Sequence, residues 1–176
     1  RPAPSDGVGA RIGVDCNAAL HRSCAARACS TSGFGPLENS GDMADVACVV
    51  GDVLGTSYTT LRTHHAACDG SSERYGPSCN AAIHPYCAAA GYVSGFGPVE
   101  NSGDTAYVTC VRGASVVVTS YTTLRTHHAP CDGSTQRMGP DCNAAIHRFC
   151  RSTGHVSGFG PIENSGDTAV VTCVDL

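Results

Sequence analysis

The chain has 176 residues, a net charge of −4, 12 cysteines, no tryptophan, and only arginine among its 11 basic side chains. That balance lacks the basic field of a nucleic-acid binder, and no apolar run reaches the roughly 18 residues that a membrane-spanning helix needs. An even cysteine count without CxxC pairs points to disulfides in an oxidising, extracellular setting rather than to zinc.

The chain is written three times over. CNAALHRSC at 16–24 returns as CNAAIHPYC at 79–87 and CNAAIHRFC at 142–150. SGFGPLENSGDMADVACV at 32–49 returns as SGFGPVENSGDTAYVTCV at 94–111 and SGFGPIENSGDTAVVTCV at 157–174. The offset is 63 residues, shortened to 62 between the first two copies of the second string. Three units are expected, at 1–50, 51–113 and 114–176, the first truncated because Arg1 aligns with His64. A unit this small buries a thin core and needs staples. Arg1-Pro2-Ala3-Pro4 reads as a mature terminus left after processing, or as an artificial boundary.

Along a unit, TSYTTLRTHH (56–65 and 119–128) reads as a strand, rich in Thr and Tyr. CDGSSERYGPSC at 68–79 reads as a turn-rich loop. A helix follows. Ser78, with Asp15 and Asp141 in the other copies, is the expected N-cap. Cys79, Ala82, Ile83, Tyr86, Cys87 and Ala90 form one apolar stripe, and Gly91 and Gly154 fit the position just past the helix end. Pro85, inside the second copy alone, predicts a short, kinked or late-starting helix there. GFGPxENSGD reads as a glycine-rich loop, and TAYVTCV closes the unit as a strand. The fold class is therefore α+β: three disulfide-stapled repeats of strand, loop, helix, loop and strand, packed about a pseudo-threefold axis or as a tandem array. The segments at 50–55 and 112–118 are apolar rather than linker-like, which favours packed units.

The first unit has Ser5 where the others have Cys68 and Cys131, and gains Cys29. All 12 cysteines are expected to pair, with Cys29 taking the missing role. Cys68–Cys79 with Cys87–Cys110 is favoured; Cys68–Cys110 with Cys79–Cys87 is awkward within one helix, and the crossed pairing stays open.

The GFGPxENSGD segment is the leading site candidate. It holds Phe34, Glu38, Asn39 and Asp42, then Phe96, Glu100, Asn101 and Asp104, then Phe159, Glu163, Asn164 and Asp167. Vicinal sugar hydroxyls donate and accept, so carboxylates, an amide and backbone N–H groups complement them, and the aromatic ring suits the apolar face of a pyranose. Calcium would want the same oxygens, although no cofactor is expected. A tight turn before a strand, with Phe in the core, explains the Asn and Gly as well. Arg11, Arg74 and Arg137 are the only arginines kept in all three copies, placed to clamp those carboxylates or a ligand.

Secondary candidates are His21, His84 and His147, each four residues after an Asn (Asn17, Asn80, Asn143), where the structural reading is that Asn and His tie the helix to a neighbouring loop. Arg62, His64 and His65, and Arg125, His127 and His128, lie in LRTHH. The first unit lacks that string, so a site common to all three cannot depend on it.

The chain lacks GxSxG, HExxH and any nucleophile–base pattern, and is read as a non-enzyme. Three like sites in one chain suit multivalent binding. The strand endings ACV and TCV (Cys48-Val49, Cys110-Val111, Cys173-Val174) and the tandem, cysteine-rich economy resemble secreted lectins of the rhamnose- and galactose-binding type. The resemblance implies small disulfide-rich α/β modules and cell-surface or extracellular glycans as partners. That family's YGR and DPC motifs are not kept, since RYGP stands at 74–77 and CDG at 68–70, so no site residue is carried over. The expectation is a secreted lectin with one sugar site per repeat, without a membrane span and compatible with a homo-oligomer. The alternative is a secreted disulfide-rich inhibitor or antimicrobial protein.

Overall fold

A computed structural model of the protein describes residues 14–40, 42–70, 74, 76–134 and 137–175. The elements run α1 (Val14–Ala25), β1 (Ser32–Ser40), β2 (Met43–Val49), β3 (Asp52–Ser57), α2 (Tyr58–His64), α3 (Pro77–Ala89), β4 (Ser94–Ser102) and β5 (Thr105–Val111). Then come β6 (Ala114–Ser120), α4 (Tyr121–His127), α5 (Pro140–Ser152), β7 (Ser157–Ser165) and β8 (Thr168–Val174). The described residues thus form a mixed α and β protein with three small antiparallel sheets, ordered β1-β2, β3-β5-β4 and β6-β8-β7. No helix among them is long and apolar enough to cross a membrane.

Two readings of local structure are corrected. TSYTTLRTHH is not a strand: its strand ends at Ser57 and a helix begins at Tyr58. The Ser57 side chain accepts the Thr60 backbone N–H at 2.9 Å, an N-cap bond, and Tyr58 and Leu61, three apart, bury one helical face. The β-branched threonines argue for a strand, but a cap and two anchors outweigh that propensity. Conversely, GFGPxENS is not a loop. Ser94–Phe96 and Glu100–Ser102 are laddered to β5, with the register broken between them where Pro98 has no N–H to give. The turn is only Gly103-Asp104, and Gly103 at φ 58 supplies the positive φ that a two-residue hairpin needs at its first position.

The expected helices form, with shifted starts. In α3, Gly76 is the N-cap and Pro77 sits in the first turn, so Ser78 lies inside the helix. Its end matches expectation: Gly91 N–H reaches the Ala88 carbonyl at 3.0 Å and Tyr92 N–H the Cys87 carbonyl at 3.0 Å. Pro85 does not shorten α3, which runs through it.

Five disulfides form: Cys24–Cys48, Cys68–Cys79, Cys87–Cys110, Cys131–Cys142 and Cys150–Cys173. The favoured pairing therefore holds in the second and third units. The expectation that all 12 pair does not: Cys29 is an exposed free thiol in a turn at φ 68, past the helix end. The helix-to-strand bridge lies flat against β4, where a Cβ on Gly95 would stand 2.3 Å from the Cys87 sulfur.

Three apolar clusters hold the chain. One gathers Tyr58, Leu61, Ile83, Val108 and the cysteines around them, and one their counterparts Tyr121, Leu124, Ile146, Val171 and neighbours. The third draws on all three sequence units: Phe34, Leu37 and Val49, Phe96, Val99 and Val111, Phe159, Ile162 and Val174. Its heart is a triangle of phenylalanine rings with centroids 5.2, 5.2 and 5.1 Å apart, each pair edge to face. Around it α1 packs on β4, α3 on β7 and α5 on β1.

Candidate functional site

The candidate residues separate into three groups. Phe34, Phe96 and Phe159 are packed in the core, 7–8% exposed, with their rings against one another. The asparagines are held from within: Arg74 Nη1 donates to Asn101 Oδ1 and Arg137 Nη1 to Asn164 Oδ1. Each arginine also donates to a glycine carbonyl, Gly70 at 2.7 Å and Gly133 at 2.6 Å, and lies over Tyr58 or Tyr121. They clamp amide oxygens rather than the expected carboxylates. Arg11 lies outside the described residues. The aspartates serve the short helices: Tyr58 N–H donates to the Asp104 backbone carbonyl at 2.9 Å, and Thr122 N–H to Asp167 Oδ1 at 3.1 Å. Asp42 is exposed.

The secondary histidines each hydrogen-bond a neighbouring strand. His21, His84 and His147 each place Nδ1 about 3 Å from the hydroxyl of Ser32, Ser94 or Ser157 (3.0, 3.1 and 2.9 Å). Ser32 and Ser94 accept in turn from Thr109 and Thr172 at 2.8 and 2.9 Å, so buried hydroxyls link one unit to the next. The paired Asn residues also reach across: Asn80 Nδ2 donates to the Pro161 carbonyl at 3.4 Å and Asn143 Nδ2 to Pro36 at 3.3 Å. Both residues thus hydrogen-bond the helix to strands beside it.

Burial, the largest cause, lowers the pKa of all three imidazoles below 6.5, opposed at His84 by Glu163 and at His21 by Glu100. At His147, Arg151 and Arg148 add to the lowering, while Glu38 and Asp45 oppose it. Below pH 6.5 the unfolded chain binds more protons at these sites than the folded one, so stability is whole above that pH and falls as pH drops. The melting temperature is expected to decline from pH 7 to pH 5, before the carboxylates titrate. A calorimetric series flat over that range, or rising toward pH 5, would contradict the assignment.

The glutamates mark the junctions between units. Glu100 of β4 accepts from Arg22 Nε of α1 at 2.6 Å, and Glu38 of β1 from Arg148 Nε of α5 at 2.8 Å. The Arg148 bond is the main cause holding the Glu38 carboxyl below its ordinary pKa. Arg148 also donates to the His127 carbonyl at 3.2 Å and lies 3.1 Å from His128 Nδ1, while His128 Nε2 meets Asp141 at 3.1 Å. This third-to-first junction is therefore filled. The second-to-third junction has Pro85 in place of Arg148 and Ser78 in place of Asp141. There a groove of about 480 Å³ opens, lined by His64, His65, Pro77, Ser78, Ala81 and Pro85 on one side and Glu163 and Asn164 on the other. Glu163 is exposed in it.

The structure thus brings Glu163, Asn164 and His64 together and leaves Arg62 and Arg125 exposed on short helices. Ser78, Ala81, Pro77 and Pro85 line the groove but are not among the residues singled out as candidates from the sequence. The available signal was that Pro85 interrupts an arginine kept at the same place in the other copies, Arg22 and Arg148. A second cavity, about 250 Å³, lies over the phenylalanine triangle beside Asn17, Asn80 and Asn143. Among the described residues no group of three or more His, Cys, Asp or Glu is placed to hold a metal ion. No family model matches the chain, and no curated protein and no solved structure matches it either.

Proposed function

We propose that this is a secreted glycan-binding protein of lectin type, built as three units in a pseudo-threefold ring, whose ready sugar site is the groove between the second and third units. The carrying observation is the contrast between equivalent junctions: two carry an Arg–Glu bridge, Arg22–Glu100 and Arg148–Glu38, and the one with Pro85 carries the groove instead. The ring reading rests on the phenylalanine triangle and the helix-on-next-sheet packing. Five disulfides suit an oxidising, extracellular compartment.

The groove's chemistry suits a neutral sugar. Glu163 accepts from hydroxyls; Ser78 and the imidazoles of His64 and His65 donate or accept. The Pro77 and Pro85 rings and Ala81 offer an apolar floor to a pyranose C–H face. Pro85 has no N–H for the Ala81 carbonyl four residues back, which leaves that oxygen as one more acceptor. No nucleophile–base pair is invoked, and the role is binding rather than catalysis.

Glu163→Gln should weaken sugar binding by about 1.5–3 kcal/mol, the worth of a charge-assisted hydrogen bond. Pro85→Arg should abolish it, because the new side chain can take Glu163 as Arg148 takes Glu38, while the helix gains stability from losing an internal proline, up to about 3 kcal/mol. A glycan array identifies the sugar, and calorimetry on the parent and both variants measures it. An array that retains no glycan, or two variants that bind like the parent, would refute the reading.

A further inference from the structure

At the third-to-first junction one arginine side chain is held by three acceptors. Arg148 Nε donates to Glu38 at 2.8 Å and Nη1 to the His127 carbonyl at 3.2 Å, and Nη1 lies 3.1 Å from His128 Nδ1. A carboxylate, a backbone carbonyl and an imidazole thus surround one guanidinium.

The same three groups stand at the second-to-third junction. Glu163 has the ladder place of Glu38: each is the first residue paired after the register break, Glu163 opposite Val170 and Glu38 opposite Asp45. The short helix α2 sits on α3 as α4 sits on α5. His64 meets Tyr86 edge to face with centroids 5.8 Å apart, and His127 meets Phe149 in the same way at 5.6 Å. Both short helices close alike, with the His65 N–H on the Leu61 carbonyl and the His128 N–H on the Leu124 carbonyl, each at 3.0 Å. What differs is residue 85, a proline whose side chain has neither charge nor donor. Glu163 makes no ion pair among the described residues. His64 and His65 are exposed where His127 and His128 are half-buried.

We propose that this groove takes a guanidinium from outside the chain, held as Arg148 is held at the filled junction. The Glu163 carboxylate, the His64 backbone carbonyl and His65 Nδ1 are its acceptors. A guanidinium offers five N–H donors in a flat fork, which serves several separate acceptors better than the point charge of an ammonium. The Ala81 carbonyl, to which Pro85 has no N–H to give, is a fourth acceptor. A groove of about 480 Å³ also has room for the aliphatic stem that carries the group. The ligand class is a guanidino compound, free or as an arginine side chain of a polypeptide. The inference does not rest on the sugar reading. Both ligands use Glu163, so a bound guanidinium displaces the sugar.

The test is an NMR titration of the full, isotope-labelled chain, without sugar, by Nα-acetyl-arginine methylamide and its lysine and citrulline counterparts. Saturable shifts at His64, His65 and Glu163 are expected with the arginine probe. The other two should bind at least about tenfold more weakly, since lysine lacks the planar fork and citrulline the charge. Glu163→Gln should weaken the arginine probe by about tenfold or more, and Pro85→Arg should remove its binding while the spectrum reports a folded chain. Ethylguanidinium separates the sources: affinity equal to the arginine probe assigns a free guanidino compound, and weaker affinity assigns a polypeptide. No saturation by the arginine probe at tens of millimolar, equal binding of the arginine, lysine and citrulline probes, or binding that Pro85→Arg leaves unchanged would overturn the proposal. None of the probes is a sugar, so such a failure is distinct from a failed glycan array.

Discussion

Phe96→Ala is expected to remove about 3–5 kcal/mol of stability, the usual cost of deleting a buried phenylalanine ring. The ring is 7% exposed and meets Phe34 at 5.2 Å and Phe159 at 5.1 Å, so its removal strips packing from the centre of the triangle. Its two edge-to-face contacts are each worth about 0.5–1.5 kcal/mol beyond area burial. Its neighbours come from different units and are held on laddered strands, which limits collapse into the cavity. Phe96→Leu keeps most of the volume and should cost less than half as much. Denaturant unfolding of both variants, with the disulfides intact, measures this. A loss below about 1 kcal/mol for the alanine variant would mean that each unit stands on its own core and the triangle joins nothing.

Replacing Cys87 and Cys110 together by alanine should cost about 2–5 kcal/mol. The bridge spans 23 residues and ties α3 to β5, and both sulfurs are buried. The cost has two sources. Chain entropy returns to the unfolded state, and the space in which Cys87 sulfur packs under Gly95 is left unfilled. Cys29→Ser is the matched control: an exposed thiol in a turn should change stability by less than about 0.5 kcal/mol. Thermal unfolding of both, with thiol titration of the native parent, tests the assignment. A Cys29→Ser variant as unstable as the double alanine variant would mean that Cys29 is bonded in the native protein.

The comparison between these bridges also marks how far local reasoning reaches. Spacing and helix geometry favour Cys68–Cys79 and Cys87–Cys110, because Cys79 and Cys87 share α3 and each takes its partner from outside that helix, but only the structure decides against the crossed pairing. Cys29 defeats the same logic. A loss and a gain of cysteine in one unit suggest compensation, but compensation requires the two positions to meet in space, and the turn after α1 carries Cys29 outward.

Sequence periodicity alone established three copies of one plan, the apolar stripe of each long helix, the glycine that ends it, and the closing strand. These depend on interactions within a few residues, which a string of letters displays. Tertiary structure alone decided whether GFGPxENS is a strand, because its partner lies on β5 and a Gly-Pro pair has no local preference for a ladder. It also decided that Tyr58 starts a helix, since the Tyr58 and Leu61 anchors find their floor only on Ile83 and Val108. The roles of the glutamates were decided the same way. Glu38, Glu100 and Glu163 stand in identical local strings. Two meet an arginine from the neighbouring unit and one meets a proline, and that difference lies in the facing helix, far away along the chain.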